Sequence, residues 1–557
     1  MDRSVFGAGV RLVFVACVSL SACAAGPGGG HVAPGYGAFL AARYAVGQGD
    51  AVAATNYYGV ALGSGARAPS LASEAFLAAI MADSPQAAVL AGQVPGNPLA
   101  MLVQGNAAAQ AGRFDEAAQD FGALPADNLS GLIKPILLAW AQFGAGDARG
   151  AVSSLSPNFG NGPFGAVDAL NAALIADAGH DDADAAALYG TLGADAPDLR
   201  LAQMLASWQA RQGHLPQAFA ILDAMVAAHP GLRLALPALR AHVAQRVVST
   251  PVDGLAEAYL TLAGSLDQPS QRFLQQIFLH FALSLQPDLS AARLVLAGAQ
   301  TADAKPPPQA LAKALDILRP IPADDPLYAP AASQQADLLA QLDRPAEAEA
   351  LLQKLVATDP GDPDVLASLG DAQRAESHWA DAAGTYGKAI AAAGSPAPPG
   401  AWTLYFDRGI CEDSLGQWPA AERDILAARA LAPNQPYVLN YLGYSWALRG
   451  ENLAAARDML QQAVGMDPKD GAVIDSLGFV YMKQGQVKKA VTLLTKAVEL
   501  DPDDAEVNAH LGDAFFAAGQ KLQADYQWQR ALALKPDDKL RADIAAKLQK
   551  NFSGPPA

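Results

Sequence analysis

Three phrases near the end of the chain constrain what it can fold into: AVGMDP closing at Pro468, AVELDP at Pro502 and ALALKP at Pro536. These prolines are 34 residues apart, and Pro433 precedes Pro468 by 35. Other residues recur at fixed offsets between them. The last unit carries Leu511-Gly512, Phe515, Gly519, Ala524, Trp528 and Ala531. The unit before it carries Leu477-Gly478, Tyr481, Gly485, Ala490, Leu494 and Ala497. A unit this size cannot bury its apolar face alone, so a register kept over several copies predicts a stacked array.

Each recurring position has a physical role. Ile474, Leu477, Gly478 and Tyr481 fall at i, i+3, i+4 and i+7, one stripe of a helix. Gly478 lets a second helix approach closely, and Gly485 falls where a left-handed residue would end the first helix. Ala490, Leu494 and Ala497 form the facing stripe of a second helix, and Pro502 prevents its continuation. Asp501, Asp503 and Asp504 suit the start of the next helix.

This pattern resembles the tetratricopeptide repeat, a 34-residue helix–turn–helix unit. The resemblance implies an all-α fold, an α-solenoid of helix pairs. It is sharpest over Ala329–Pro536, where further units are marked by Ala336, Ala348, Leu352 and Pro360; by Leu369-Gly370, Ala382, Tyr386 and Ala389; by Gly409, Gly416, Ala421, Ile425 and Pro433; and by Leu442-Gly443, Trp446, Gly450, Ala456, Leu460 and Ala463, with one extra residue. Diluted copies precede it: Gly49, Ala54, Tyr58 and Ala61; Gly105, Gly112, Ala117 and Phe121; Gly146, Ala151 and Leu155; Gly213, Ala218, Leu222 and Pro230. Residues 66–100 read as a truncated unit. Residues 231–326 are less regular, although Phe273–Pro287 resembles a second helix with its closing proline. No stretch shows sustained strand alternation.

The expected organisation is a signal segment over 1–22, a tether over 23–34, a degenerate array over 35–304, a break and connecting helix over 305–328 around Lys305-Pro306-Pro307-Pro308, a regular array over 329–536, and a more polar capping helix and tail over 537–557.

Arg3 and Arg11 precede the apolar run Leu12–Leu20, which is too short for an ordinary spanning helix. It leads into Leu20-Ser21-Ala22-Cys23 and then Gly26-Pro27-Gly28-Gly29-Gly30. This resembles a bacterial lipobox, which implies cleavage before Cys23, acylation of Cys23 and a membrane anchor. Ala24 after the cysteine implies the outer membrane by the same resemblance. Cys17 leaves with the signal, so Cys411 has no internal disulfide partner; on a first helix it reads as a small buried residue.

In tetratricopeptide arrays the first helices line the concave face. Carried onto this register, the groove positions include Phe406; Tyr437, Asn440 and Tyr444; Asp475, Phe479 and Met482; and Glu506, Asp513 and Phe516. Aromatics supply contact area and Asn440 a backbone hydrogen bond, a mixture suited to an extended or helical peptide.

The eight histidines form no HExxH or other compact metal pattern, and there is no GxSxG or CxxC. Gly384–Lys388 has the wrong glycine spacing for a phosphate loop and lies in an expected second helix. No catalytic residue, metal or cofactor is expected. A net charge of −17 argues against nonspecific nucleic-acid binding. The phrases QPYVLNYLGYSWALRGENLAAARDMLQQAV, GAVIDSLGFVYMKQGQ and NAHLGDAFFAAGQ are similar to proteobacterial outer-membrane tetratricopeptide lipoproteins. That resemblance implies a non-enzymatic scaffold facing the periplasm that binds proteins or peptides, with an adaptor for a periplasmic protease as one member of the group. The alternatives are an assembly factor for outer-membrane proteins or exported envelope polymers, and, from another class, an envelope hydrolase or transferase carrying such repeats.

Overall fold

The computed structural model describes residues 35–64, 69–125, 128–159, 165–192, 198–266 and 268–552. Among them it contains 30 α-helices, a few short 3-10 turns and no strand. The chain forms two compact units, Ala25–Thr358 and Asp359–Ala557.

The first unit begins with six successive helix pairs, from Tyr36–Gly47 with Ala51–Gly63 to Leu199–Arg211 with Leu215–Ala228. Glycine explains the tight pairing where the repeat is best preserved. A Cβ placed on Gly105 would sit 2.4 Å from the Phe121 ring. The truncated second pair has a normal first helix, Pro69–Met81, but a second helix of only 6 residues, Gln86–Ala91.

After Ala241 the chain stops adding pairs to the stack. Thr250 and Asp253 form a reciprocal capping box, Pro251 occupies the first turn, and Pro251–Gly264 follows. This helix and Arg272–Leu285 pack on each other and turn back across the earlier pairs. Pro251–Gly264 lies on Pro98–Gln110, Asn128–Gly144 and Gly165–Ala178, and Arg272–Leu285 lies on Pro69–Met81 and Pro98–Gln110. Each of those is the first helix of its pair.

Phe273–Pro287 thus becomes a helix as its pattern suggests, but it crosses the first-helix face. The reason is that the middle of each helix is apolar apart from Glu257 and His280, both of which find partners. Gly254–Leu260 and Ile277–Leu283 are buried without interruption. Lys305-Pro306-Pro307-Pro308 lies within this first unit, where Pro308 opens the Pro308–Leu318 helix. Two further pairs complete the unit, the last being Tyr328–Gln341 with Pro345–Thr358.

The second unit is a regular stack of five pairs, ending with Ala505–Ala517 and Lys521–Ala533. A Cβ on Gly443, Gly478 or Gly512 would come within 2.8, 2.7 and 2.5 Å of Leu460, Leu494 and Trp528 respectively. Each packing glycine therefore faces the large residue of its own second helix. Asp470 and Asp504 cap the first helices by accepting from Val473 N–H and Val507 N–H at 3.1 and 2.9 Å. The extra residue of the unit ending at Pro468 is absorbed in the turn, where Asn452 adopts φ 45°. The final helix, Asp538–Phe552, places the fully buried Ile544 against Ala524, Trp528 and Ala531.

Candidate functional site

The first helices of the second unit bring several expected groove residues together, but not all remain open. Tyr444, Phe479 and His510, from three successive first helices, form one cluster. Ring centroids are 5.3 Å apart for Tyr444–Phe479 and 4.6 Å for Phe479–His510. Beneath it, His510 Nδ1 lies 2.8 Å from the Asp475 carboxylate, and the Tyr444 hydroxyl donates to Glu506 at 2.5 Å. Burial opposes protonation of His510, but Asp475 and Glu506 outweigh it and raise its pKa to about 8. Burial first, then the Glu506 carboxylate, pushes the Tyr444 phenol far above its ordinary range. The imidazolium is thus favoured at neutral pH, held between two carboxylates and two aromatic rings.

This packing corrects the expected groove. Asp475 and Phe479 are buried and cannot be first contacts for a ligand. They fill because the next first helix contributes His510, a residue 35 positions beyond Asp475, so the contact is invisible within one repeat. Asp513 is also taken: it accepts from Trp528 Nε1 at 3.0 Å and from Lys547 of the last helix at 2.7 Å.

The accessible part is therefore a rim. Tyr437 is 50% exposed and Phe516 41% exposed. Glu506 is exposed, Tyr444 and Met482 are half-buried, and Lys483 rests over the Phe479 ring at 4.9 Å. Asn440 is half-buried, and its Oδ1 has no hydrogen-bond partner among the described residues. Phe406 stands apart from this cluster, half-buried against Tyr441 at 5.6 Å and Trp402 at 6.2 Å. The rim offers aromatic surface, one carboxylate and one ammonium, features that bind a polypeptide without chemical change.

The corresponding face of the first unit is closed. Tyr259 donates to Asn106 at 3.0 Å, and Trp140 donates to Asn171 at 2.8 Å, all four side chains being buried. Gly254 admits the Trp140 ring: a Cβ there would sit 2.3 Å from it. Glu257, buried on the same helix, pairs with Arg200 of Leu199–Arg211. His280 Nδ1 approaches Asp83 at 2.8 Å. These residues were not singled out from sequence, because the partners of Glu257, Tyr259 and His280 lie between 57 and 197 positions away and no local spacing joins them.

A cavity of about 240 Å³ in the first unit is lined by Arg200, Arg246, Ser290 and Asp325 among others. Arg246 pairs with Asp177 at 3.1 Å, Arg200 with Glu257, and Asp325 accepts from the Ser290 hydroxyl at 2.7 Å. Cys411 is fully buried, and burial pushes its thiol up to about 12, so it holds no thiolate at neutral pH. Cys23 lies outside the described residues. Among the described residues, no group of three or more His, Cys, Asp or Glu side chains is arranged to hold a metal ion, and no helix is long and apolar enough to cross a membrane.

Family models described as tetratricopeptide repeat match residues 69–129, 333–398, 367–436 and 406–471, and one described as TPR repeat matches 478–519. A TPR repeat-containing protein of Pseudomonas aeruginosa is 29% identical over 87 residues, which span 16% of this chain and 15% of that protein. Among solved structures, the APC/C hetero-tetramer Cut9-Hcn1 aligns at 15% identity and TM-score 0.39, over 93% of this chain and 96% of that one. Yeast Tom70 aligns at 14% identity and TM-score 0.34, over 82% and 95%.

Proposed function

Because this chain is a tetratricopeptide-repeat protein, we propose that it is a non-catalytic scaffold of the cell envelope. An acyl chain on Cys23 holds it to the outer membrane on the periplasmic side, and the first-helix rim of its second unit receives a protein or peptide segment. One observation carries this reading: the first-helix face of the N-terminal pairs is filled by the chain's own helices, whereas Tyr437, Glu506 and Phe516 stay exposed in the second unit. Exposed aromatics on the same first helices as an exposed carboxylate suit a polypeptide segment. Within that role, the C-terminal phrases support an adaptor that brings substrates to a periplasmic protease.

Crosslinking and recovery from envelope extracts tests the rim. Tyr437→Ala with Phe516→Ala should lower partner recovery about tenfold, as loss of interface aromatics does. Leu522→Ala with Tyr526→Ala, on an exposed second-helix face, should not. A protease among the lost partners supports the adaptor role. Unchanged partners in the rim variant would overturn the assignment. The anchor is tested separately by metabolic labelling with a fatty acid: Cys23→Ser should abolish the label, and an unlabelled wild type would remove the lipid anchor from the proposal.

A further inference from the structure

The two ends of the described chain are finished differently. The C-terminal pair is covered by the polar Asp538–Phe552 helix, as stacked repeats require for solubility. The first described pair has no such cover. Tyr36, Leu40 and Tyr44 recur every four residues along Tyr36–Gly47 and are 56, 50 and 71% exposed. Val46, Val52, Tyr57 and Val60 add to the same pair, exposed by 45% or more.

Charge is almost absent there. In a chain of net charge −17, residues 35–64 contain only Arg43 and Asp50. Both are engaged: Arg43 pairs with Glu74 at 3.0 Å, and Asp50 caps the second helix by accepting from Ala53 N–H at 2.8 Å. The surface is therefore apolar, tyrosine-rich and close to neutral. Tyrosine combines an apolar ring with a hydroxyl that stays hydrated, the combination favoured at the headgroup level of a bilayer.

We infer that this first helix pair lies on the bilayer surface, with Tyr36, Leu40 and Tyr44 entering the headgroup region. The inference rests on the proposed acylation of Cys23. Tyr36 is thirteen positions beyond that residue. A chain segment of this length cannot span more than about 45 Å. The anchor would thus keep at the membrane a helix pair that partitions there by itself, making the contact intramolecular. Because the surface is neutral, the contact needs no anionic lipid and resists salt. Docking would fix the orientation of the first unit relative to the membrane, which an acyl tether alone leaves free.

The test uses residues 23–557 with Cys23→Ser, which retains every described residue and carries no acyl chain. Flotation with vesicles of phosphatidylethanolamine and phosphatidylglycerol should recover the protein in the lipid fraction, at low and high salt alike. Tyr36→Ser, Leu40→Ser and Tyr44→Ser together should reduce recovery about tenfold. Leu522→Ser with Tyr526→Ser should leave it unchanged. Circular dichroism checks that the triple variant is folded, and Tyr44→Ser alone, the most exposed site, should give a smaller loss in the same direction. No flotation of the unacylated protein, or equal flotation of the triple variant, would overturn the inference. So would a salt-sensitive association, or a dimer in solution that the same variant breaks. Because no acyl group is present, these outcomes are independent of whether Cys23 is modified in cells.

Discussion

Residues 36–211 and residues 363–517 build their helix pairs with the same chemistry, but they use their first-helix faces differently. Gly105 against Phe121 in one repeats as Gly478 against Leu494 in the other. Across the first lies a second layer of helix from the same unit, fixed by Tyr259–Asn106 and Arg200–Glu257. The second keeps a rim of exposed aromatics over a small polar core around His510. The comparison separates two properties that a repeat signature joins. Packing within a pair is decided by residues sixteen positions apart, whereas occupancy of the face is decided by residues 57 to 197 positions away.

The largest effect is expected from attacking the occupant. Glu257→Ala removes the buried partner of Arg200 and should cost about 2 kcal/mol, because the half-buried guanidinium keeps only Gln203 as acceptor. Hydrogen exchange should rise across Pro251–Gly264 and along Asn128–Gly144 beneath it, while the helices of 363–517 keep their protection. Unchanged exchange in Pro251–Gly264 would mean that apolar packing alone holds the layer, and that charge is no part of the difference between the two regions.

The parts of the molecule that could be read from sequence are those set by local spacing. Glycines, alanines and prolines at repeat offsets gave the helix pairs, their turns and the buried stripes; Ile474, Leu494 and Ala497 are fully buried as their positions demand. The candidate rim was only partly legible. Tyr437 and Phe516 are exposed, but Asp475 and Phe479 are sealed by His510 and Tyr444 from neighbouring repeats. Phe479 and Tyr444 hold the same repeat position, so periodicity gave both the same expected environment. Their neighbours differ, and a pattern within one unit does not contain that information. The layer over the first unit was missed for a related reason: Arg272–Leu285 has the spacing and the polar stripe of a repeat helix, and the helices it covers lie far away in sequence.

A second, smaller effect probes the rim's polar core. His510 has its pKa raised from 6.5 to about 8. The folded state holds the proton more tightly than the unfolded state, so this contribution is fully present below about pH 6.5 and is lost as pH rises through about 8. The loss should be about 1–2 kcal/mol. It can be read as a fall in the opening free energy of Ala505–Ala517 by hydrogen exchange between pH 6 and pH 9. His510→Gln should remove that pH dependence while leaving the first unit's exchange unchanged. A wild-type profile that is flat over this range would show that Asp475 and Glu506 do not bind the proton preferentially in the folded state.

The smallest effect concerns the turns, which in both regions mostly place glycine at positive φ, with exceptions such as His180 in the first and Ser377 in the second. Gly485 ends a first helix with φ 73°, a conformation without steric cost for glycine. In the first unit the equivalent turn after Gly165–Ala178 places His180 at φ 60°, where a Cβ crowds the backbone. Replacing it removes that strain but also enlarges the unfolded ensemble, so the two terms oppose each other. His180→Gly should therefore stabilise the first unit by only about 0.5 kcal/mol, and Gly485→Ala should destabilise the second by about 1 kcal/mol. Urea midpoints of the two variants, read with exchange in the flanking helices, measure both. If His180→Gly destabilises, the imidazole makes a contact that outweighs its backbone strain, and the irregular turns of the first unit are held by side chains rather than tolerated. If it stabilises as expected, the His180 turn is a weak copy of the glycine turns at Gly146 and Gly213 beside it, and the order of that pair depends correspondingly more on the Pro251–Gly264 helix packed across its face.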